Sequence, residues 1–187
     1  MFLEKSDPSP YTAGVGGRPA VFIDRDGTLT EEVGYVNHPR RLRLLPRSAE
    51  AIRRLNGAGV AAVVVTNQAG LARGYFSEEV LAAVNAALVA QLEEADAHLD
   101  GLYVCPHHPT EGLPPWRADC DCRKPEPGLI HRAAAELGLD LGRSALVGDK
   151  PSDLEAARRV GARGVLVLTG YGLGEWEYRR ERFTVTP

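Results

Sequence analysis

Two aspartates two residues apart, Asp24 and Asp26, follow the apolar run AVFI and open a Gly27-Thr28 turn. On an extended chain, residues i and i+2 point to the same side. Two carboxylates so placed offer a nucleophile and a proton carrier to one reacting group. The Gly-Thr turn lets the backbone fold close to a small anion. A second constellation takes all three cysteines of the chain: Cys105, His107, Cys120 and Cys122, spaced C-x-H-x12-C-x-C. Three thiolates and one imidazole suit tetrahedral Zn²⁺, and four protein ligands close the site, so zinc there is structural. His108 is adjacent and offers an alternative imidazole. Metal binding would become ordering energy for residues 105–122, which carry little apolar content of their own.

These residues need elements to hold them. AVFID (20–24), VAAVVVT (60–66), LYVC (102–105), ALVG (145–148) and GVLVL (164–168) read as short strands. Their continuous apolarity is that of strands covered on both faces. Helices are expected between them. PRSAEAIRRLNGAG (46–59) starts with Pro and ends in Gly. The segment 76–99 has Ser77 as N-cap and two glutamates in its first turn. Residues 128–139 end near Gly138, and 152–162 open with Ser152 and Glu155 at capping-box spacing. Alternating strands and helices predict a three-layer α/β fold with a central parallel sheet. In such sheets ligands bind beyond the C-terminal strand ends. Asp24, Thr66 and Asp149 each fall at one.

Composition bounds the rest. The chain has 187 residues, 44% apolar and 25% charged, enough for one ordinary domain. Residues 1–18 read as a flexible leader and 19–187 as a single domain. Twenty-two basic and 25 acidic residues give a net charge of −3, which offers no bulk attraction to nucleic acid or anionic membrane. The apolar run around Val60 to Val65 is far short of the ~20 residues a membrane helix needs. The first residues lack the pattern of a signal peptide. The expectation is a cytoplasmic monomer that acts on a small molecule.

The sequence Asp24-Arg25-Asp26-Gly27-Thr28-Leu29 after an apolar strand resembles the first motif of the haloacid dehalogenase (HAD) superfamily of phosphotransferases. The resemblance implies three further motifs in order, and the chain supplies them. VVVTNQ gives Thr66, Arg123-Lys124-Pro125 gives Lys124, and LVGDKPSD gives Asp149 and Asp153. It implies that Asp24 attacks phosphorus, that Asp26 moves the proton, and that Lys124 and Thr66 stabilise charge on the phosphate oxygens. It further implies Mg²⁺ held by Asp24, the Asp26 main-chain carbonyl and Asp149. An aspartate at position 26, where the related transport ATPases carry threonine, points to a phosphatase.

The cysteine loop narrows the resemblance to the D-glycero-D-manno-heptose-1,7-bisphosphate phosphatases. Gly34-Tyr35-Val36 and the run Thr66-Asn67-Gln68-Ala69-Gly70-Leu71-Ala72-Arg73-Gly74 are similar to stretches of that family. The histidinol-phosphate phosphatases are close relatives and leave an alternative substrate open, as does a broader sugar-phosphate phosphatase. The heptose resemblance implies substrate contacts from Glu32, Val33, Gly34, Tyr35, Asn67, Gln68, Ala69, Arg73 and Lys150, with Arg123 gripping the substrate, Lys150 reaching the transferred phosphate and Arg73 the distal one. No cap-sized insertion follows the first motif, so a capless domain is expected. The family normally continues through one more strand and helix, of which FTVT (183–186) reads as a remnant.

Overall fold

The computed structural model describes residues 16–182. Five strands form one parallel sheet: β1 (Ala20–Ile23), β2 (Ala61–Asn67), β3 (Gly101–Cys105), β4 (Ala145–Gly148) and β5 (Arg163–Leu166). Their spatial order is β3-β2-β1-β4-β5. The chain therefore builds outward from β1 to β3, then returns to the other side of β1. The reversal leaves a crevice at the C-terminal ends of β1 and β4, the switch point where such sheets bind ligands. Asp24 follows β1 and Asp149 follows β4.

Side-chain alternation along β2 splits the core into two layers. Val63 and Val65 pack towards α3 (Gly128–Leu137) and α4 (Pro151–Arg159), against Leu129, Ile130 and Ala157. Ala62 and Val64 pack towards α1 (Ser48–Gly57) and α2 (Glu78–Glu93), against Ile52, Val84, Leu88 and Leu92. Each fully buried Val or Leu contributes about 1.5–3 kcal/mol relative to exposure. The rigid sheet so formed sets the directions of Asp24, Thr66 and Asp149. No separate cap domain follows β1 or β2 among the described residues.

Helix ends differ from the sequence expectation in instructive ways. Ser77 caps α2 as expected, its Oγ accepting from the Val80 N–H at 3.4 Å. That helix stops at Glu93, short of residue 99, because Asp96 takes a left-handed φ of 55° and turns the chain. Gly138 ends α3 with φ 64°, ψ 47°. The expected Ser152–Glu155 box is not formed. Pro151 is the first helical residue, Lys150 is the N-cap, and Asp153 Oδ2 accepts from the Lys150 N–H at 3.1 Å. Glu155 pairs with Arg158 and Arg159 instead, which holds its carboxyl down at about 2. A fifth helix, α5 (Gly172–Tyr178), forms in the polar tail. Residues 1–15 of the expected leader and the FTVT segment lie outside the described residues. Arg18, placed in the leader, is anchored: its N–H bonds Gly138 O at 3.1 Å and its side chain pairs with Asp100.

Candidate active site

The Asp24 N–H donates to Val147 O at 2.9 Å, which ties the end of β1 to β4. Asp24 Oδ1 lies 2.8 Å from Lys124 Nζ. Lys124 Nζ also meets Asp153 Oδ1 at 2.7 Å and Val65 O at 2.7 Å, so its three donors are all used. Burial opposes the Lys124 charge, but Asp153 and Asp24 outweigh it and raise the ammonium's pKa. Burial also pushes the Asp153 carboxyl up to about 6 against the pull of Lys124. The lysine is held from its backbone as well. Asn67 Nδ2 donates to Lys124 O at 3.1 Å, and Lys124 N–H donates to Asn67 Oδ1 at 3.0 Å. An asparagine at the end of β2 thereby fixes a lysine 57 residues later.

Asp26 stands in the turn after β1. Its Oδ2 accepts from Gln68 Nε2 at 2.7 Å, and the same amide reaches Thr66 Oγ1 at 2.9 Å. Arg25 grips the same carboxylate from behind, Nε to Oδ1 at 3.1 Å and Nη2 to Oδ2 at 2.9 Å. Gly27, with φ 84°, is where a Cβ would collide with Asp149 Oδ2. Only glycine allows that close approach at that backbone angle.

These groups open on a cavity of about 420 Å³ lined by Asp24, Asp26, Glu32, Gly34, Tyr35, Asn67, Gln68, Ala69, Arg73, Arg123, Lys124, Lys150, Ser152, Asp153 and Tyr171. Most of the residues named from sequence thus meet on one wall. Three do not reach it. Thr66 is buried behind Gln68, Asp149 lies beneath Lys150, and Val33 packs against the α1–α2 core. Asp153, the second aspartate of the fourth motif, joins the lining, as do Ser152 and Tyr171, which were not expected there. Across the mouth, Lys150 Nζ lies 3.5 Å from Glu32 Oε2 and 4.7 Å from the Tyr171 ring centroid. Burial raises the Glu32 pKa. Arg73 pairs with Glu111 and meets His108 Nε2 at 3.1 Å, while Arg123 Nη1 donates to His107 O at 3.1 Å. Both guanidiniums bridge the cavity to the cysteine loop.

Two donor sets suit two different metals. Asp24, Asp149 and Asp153 bring carboxylate oxygens within 4.8 Å of one another, all buried. Asp149 Oδ1 receives no hydrogen bond; its nearest cation is Lys150 Nζ at 3.3 Å. Burial raises the Asp149 pKa, so this carboxylate carries its charge at a cost that a hard cation would relieve. Oxygen donors of this kind fit Mg²⁺. In the loop, Cys105 Sγ lies 3.7 Å from Cys120 Sγ and 3.8 Å from His107 Nδ1. Cys122 Sγ lies 3.4 Å from both Cys120 Sγ and His107 Nδ1. A zinc tetrahedron with bonds of about 2.0–2.3 Å has edges of about 3.5–3.8 Å, so the set fits. Burial pushes the Cys105 and Cys122 thiols up, as expected where a compensating cation is needed to ionise them. Between the two histidines the structure is clear. His107 faces the thiols, and His108 turns away, its Nδ1 accepting from the Glu111 N–H at 3.0 Å.

A β1 carboxylate locked to a late lysine, at the switch point of a parallel sheet, is how the HAD class builds its site. The HAD-hydrolase-like family matches residues 121–184. The chain is 44% identical over 154 residues to the Haemophilus influenzae D-glycero-beta-D-manno-heptose-1,7-bisphosphate 7-phosphatase, covering 81% of this chain and 82% of that one. It is 43% identical to the Escherichia coli K12 enzyme of the same name, covering 81% and 80%. A crystal structure of the D,D-heptose 1,7-bisphosphate phosphatase of B. bronchiseptica with magnesium and phosphate superposes with a TM-score of 0.75 at 36% identity, covering 83% and 84%. The chain is a HAD-like hydrolase. Within that class it belongs to the heptose-1,7-bisphosphate 7-phosphatase family.

Proposed function

We infer that the chain is a Mg²⁺-dependent phosphatase that removes the 7-phosphate of D-glycero-β-D-manno-heptose 1,7-bisphosphate through phospho-Asp24. The observation that carries this reading is the 43–44% identity to enzymes of that name along most of both chains, and the buried Asp24–Lys124 pair supports it. Mg²⁺, held by Asp24, the Asp26 main-chain carbonyl and Asp149, would neutralise phosphate charge so that a carboxylate can approach it.

The chain's own groups supply the remaining chemistry. An Asp24 carboxylate oxygen attacks phosphorus as the bond from phosphorus to the C7 oxygen breaks. Asp26 gives its proton to that leaving oxygen. It then takes a proton from the water that attacks phospho-Asp24, which releases phosphate and restores both aspartates. Lys124, held by Asp24, Asp153 and Val65 O, stabilises charge on the equatorial oxygens by its own charge and reaches one of them by turning an N–H away from a present acceptor. Thr66 acts through Gln68, which it anchors. Lys150 lies at the mouth, where it can leave Glu32 for a phosphate oxygen. Arg73 and Arg123 suit the second phosphate, since a doubly anionic sugar needs cations beyond the reacting end. Glu32, Gly34, Tyr35, Asn67 and Ala69 form the sugar-facing walls.

Zn²⁺ on Cys105, His107, Cys120 and Cys122 would close the loop behind Arg123 and Lys124. Among the described residues, no helix is long and apolar enough to cross a membrane. Three free cysteines agree with a cytoplasmic enzyme, and one chain completes the cavity, as a monomer requires. Phosphorus NMR of the bisphosphate with Mg²⁺ tests the reaction. The expected result is loss of the C7 resonance with retention of the C1 phosphate, abolished by Asp24→Asn. Release from C1, or activity in Asp24→Asn, contradicts it.

A further inference from the structure

Asp26 must hold one orientation while a proton leaves it and another arrives, yet it sits on a turn rather than on a strand. The residue between the two aspartates settles how. Arg25 is fully buried, the largest such side chain among the described residues. Two of its nitrogens form a fork on Asp26: Nε to Oδ1 at 3.1 Å and Nη2 to Oδ2 at 2.9 Å. The third, Nη1, donates to Asn85 Oδ1 of α2 at 2.9 Å. A buried guanidinium is tolerated only when its donors are paired, and a planar fork fixes the plane of the carboxylate it meets. The opposite edge of that carboxylate faces the cavity, where Gln68 Nε2 reaches Oδ2 at 2.7 Å.

We propose that Arg25 is the positioning residue of proton transfer: it holds the Asp26 carboxylate in place from behind, with α2, through Asn85, as its fixed support. The proposal rests on the phosphatase reading. Arg25 keeps all its protons throughout. In the first half-reaction the proton passes from Asp26 to the leaving oxygen as the phosphorus–oxygen bond breaks. In the second it passes from water to Asp26 as phospho-Asp24 is cleaved. Lysine keeps the charge at position 25 but cannot make the fork, so Arg25→Lys isolates geometry from charge.

Two substrates separate proton transfer from phosphate binding. A sugar phosphate needs an acid to expel its alkoxide, whereas p-nitrophenolate departs unprotonated. In Arg25→Lys, turnover of the sugar bisphosphate should fall by about 10²-fold or more, the scale of one general acid–base group. KM should stay within a few-fold. With p-nitrophenyl phosphate the variant should release a burst of nitrophenol equal to the enzyme present and then turn over slowly, because formation of phospho-Asp24 needs no acid while its hydrolysis needs a base. Asn85→Ala, which cuts only the tie to α2, should show the same pattern more weakly and covers the case in which Arg25→Lys fails to fold. An equal fall on both substrates without a burst, or turnover like that of the unaltered enzyme, would overturn the proposal. Absence of phosphate release by the unaltered enzyme, or a burst surviving Asp24→Asn, would instead sink the phosphatase reading itself.

Discussion

Lys124 is the side chain on which the site most depends. It is the cation between Asp24 and Asp153, all three buried. Replacing it with Gln leaves two carboxylates facing each other without a counter-charge. Loss of one partner of a buried pair costs about 3–5 kcal/mol. Lys124→Gln should therefore lower the unfolding free energy by that amount, read from denaturant titration, as well as abolish turnover; activity lost with unchanged stability would contradict the structural half of this reading. The carboxylates make a second prediction. Burial raises Asp149 and pushes Asp153 up to about 6, so both hold protons at a higher pH than free aspartates. A proton and Mg²⁺ compete for the same oxygens. Mg²⁺ affinity, followed by calorimetric titration, should weaken as pH falls from about 7 to about 5. Asp24, Asp26 and Lys124 were legible as letters because their chemistry demands those types in that order. Arg25 was not, since the letter between two aspartates carries no sign of which way it points. Its fork on Asp26 exists only once α2 brings Asn85 beneath the turn.

Elements decide how those residues are held. All five strands were legible from apolar runs, and their bounds shift by only one or two residues in the structure. Helix ends were less so. Asp153 rather than Glu155 closes the first turn of α4, because the N-cap is Lys150, two residues before Ser152. The same aspartate thus caps a helix and pairs with Lys124, a double duty that spacing alone does not reveal. The cysteine loop ends at Cys122, immediately before Arg123 and Lys124. Cys120→Ser should lose the bound zinc, lower the melting temperature and reduce kcat more than an equal destabilisation elsewhere; metal analysis beside a melting curve checks it. Retained zinc would remove Cys120 from the ligand set. The docking of α3 on β3 gives a pH test. Tyr103 Oη donates to Glu136 Oε2 at 2.8 Å, and burial with that carboxylate raises the phenol to about 12. A raised phenol contributes stability below its unfolded value of about 10 that is lost as pH rises towards 12. Tyr103→Phe should flatten that part of the alkaline fall in the denaturation midpoint.

At the scale of the molecule, net charge and local charge point in opposite directions. The chain carries −3, yet Arg73, Arg123, Lys124 and Lys150 converge on one cavity. Composition gave no bulk attraction to nucleic acid and did not locate that pocket, which is assembled from residues at the C-terminal ends of all five strands. Its capless form was legible from the lack of a cap-sized insertion after the first motif or between Thr66 and Lys124. One part of its wall was not, because Tyr171 arrives from beyond β5 to sit against Lys150. On the proposed reading the loops between strands select the substrate, and that is where the heptose and histidinol readings part. The most direct measurement is kcat/KM with Mg²⁺ on β- and α-heptose 1,7-bisphosphate beside histidinol phosphate. A preference of at least tenfold for the β-heptose bisphosphate is expected, about 1.4 kcal/mol of differential transition-state binding. Equal or faster turnover of histidinol phosphate would contradict the substrate assignment while leaving Asp24 and Lys124 in their roles.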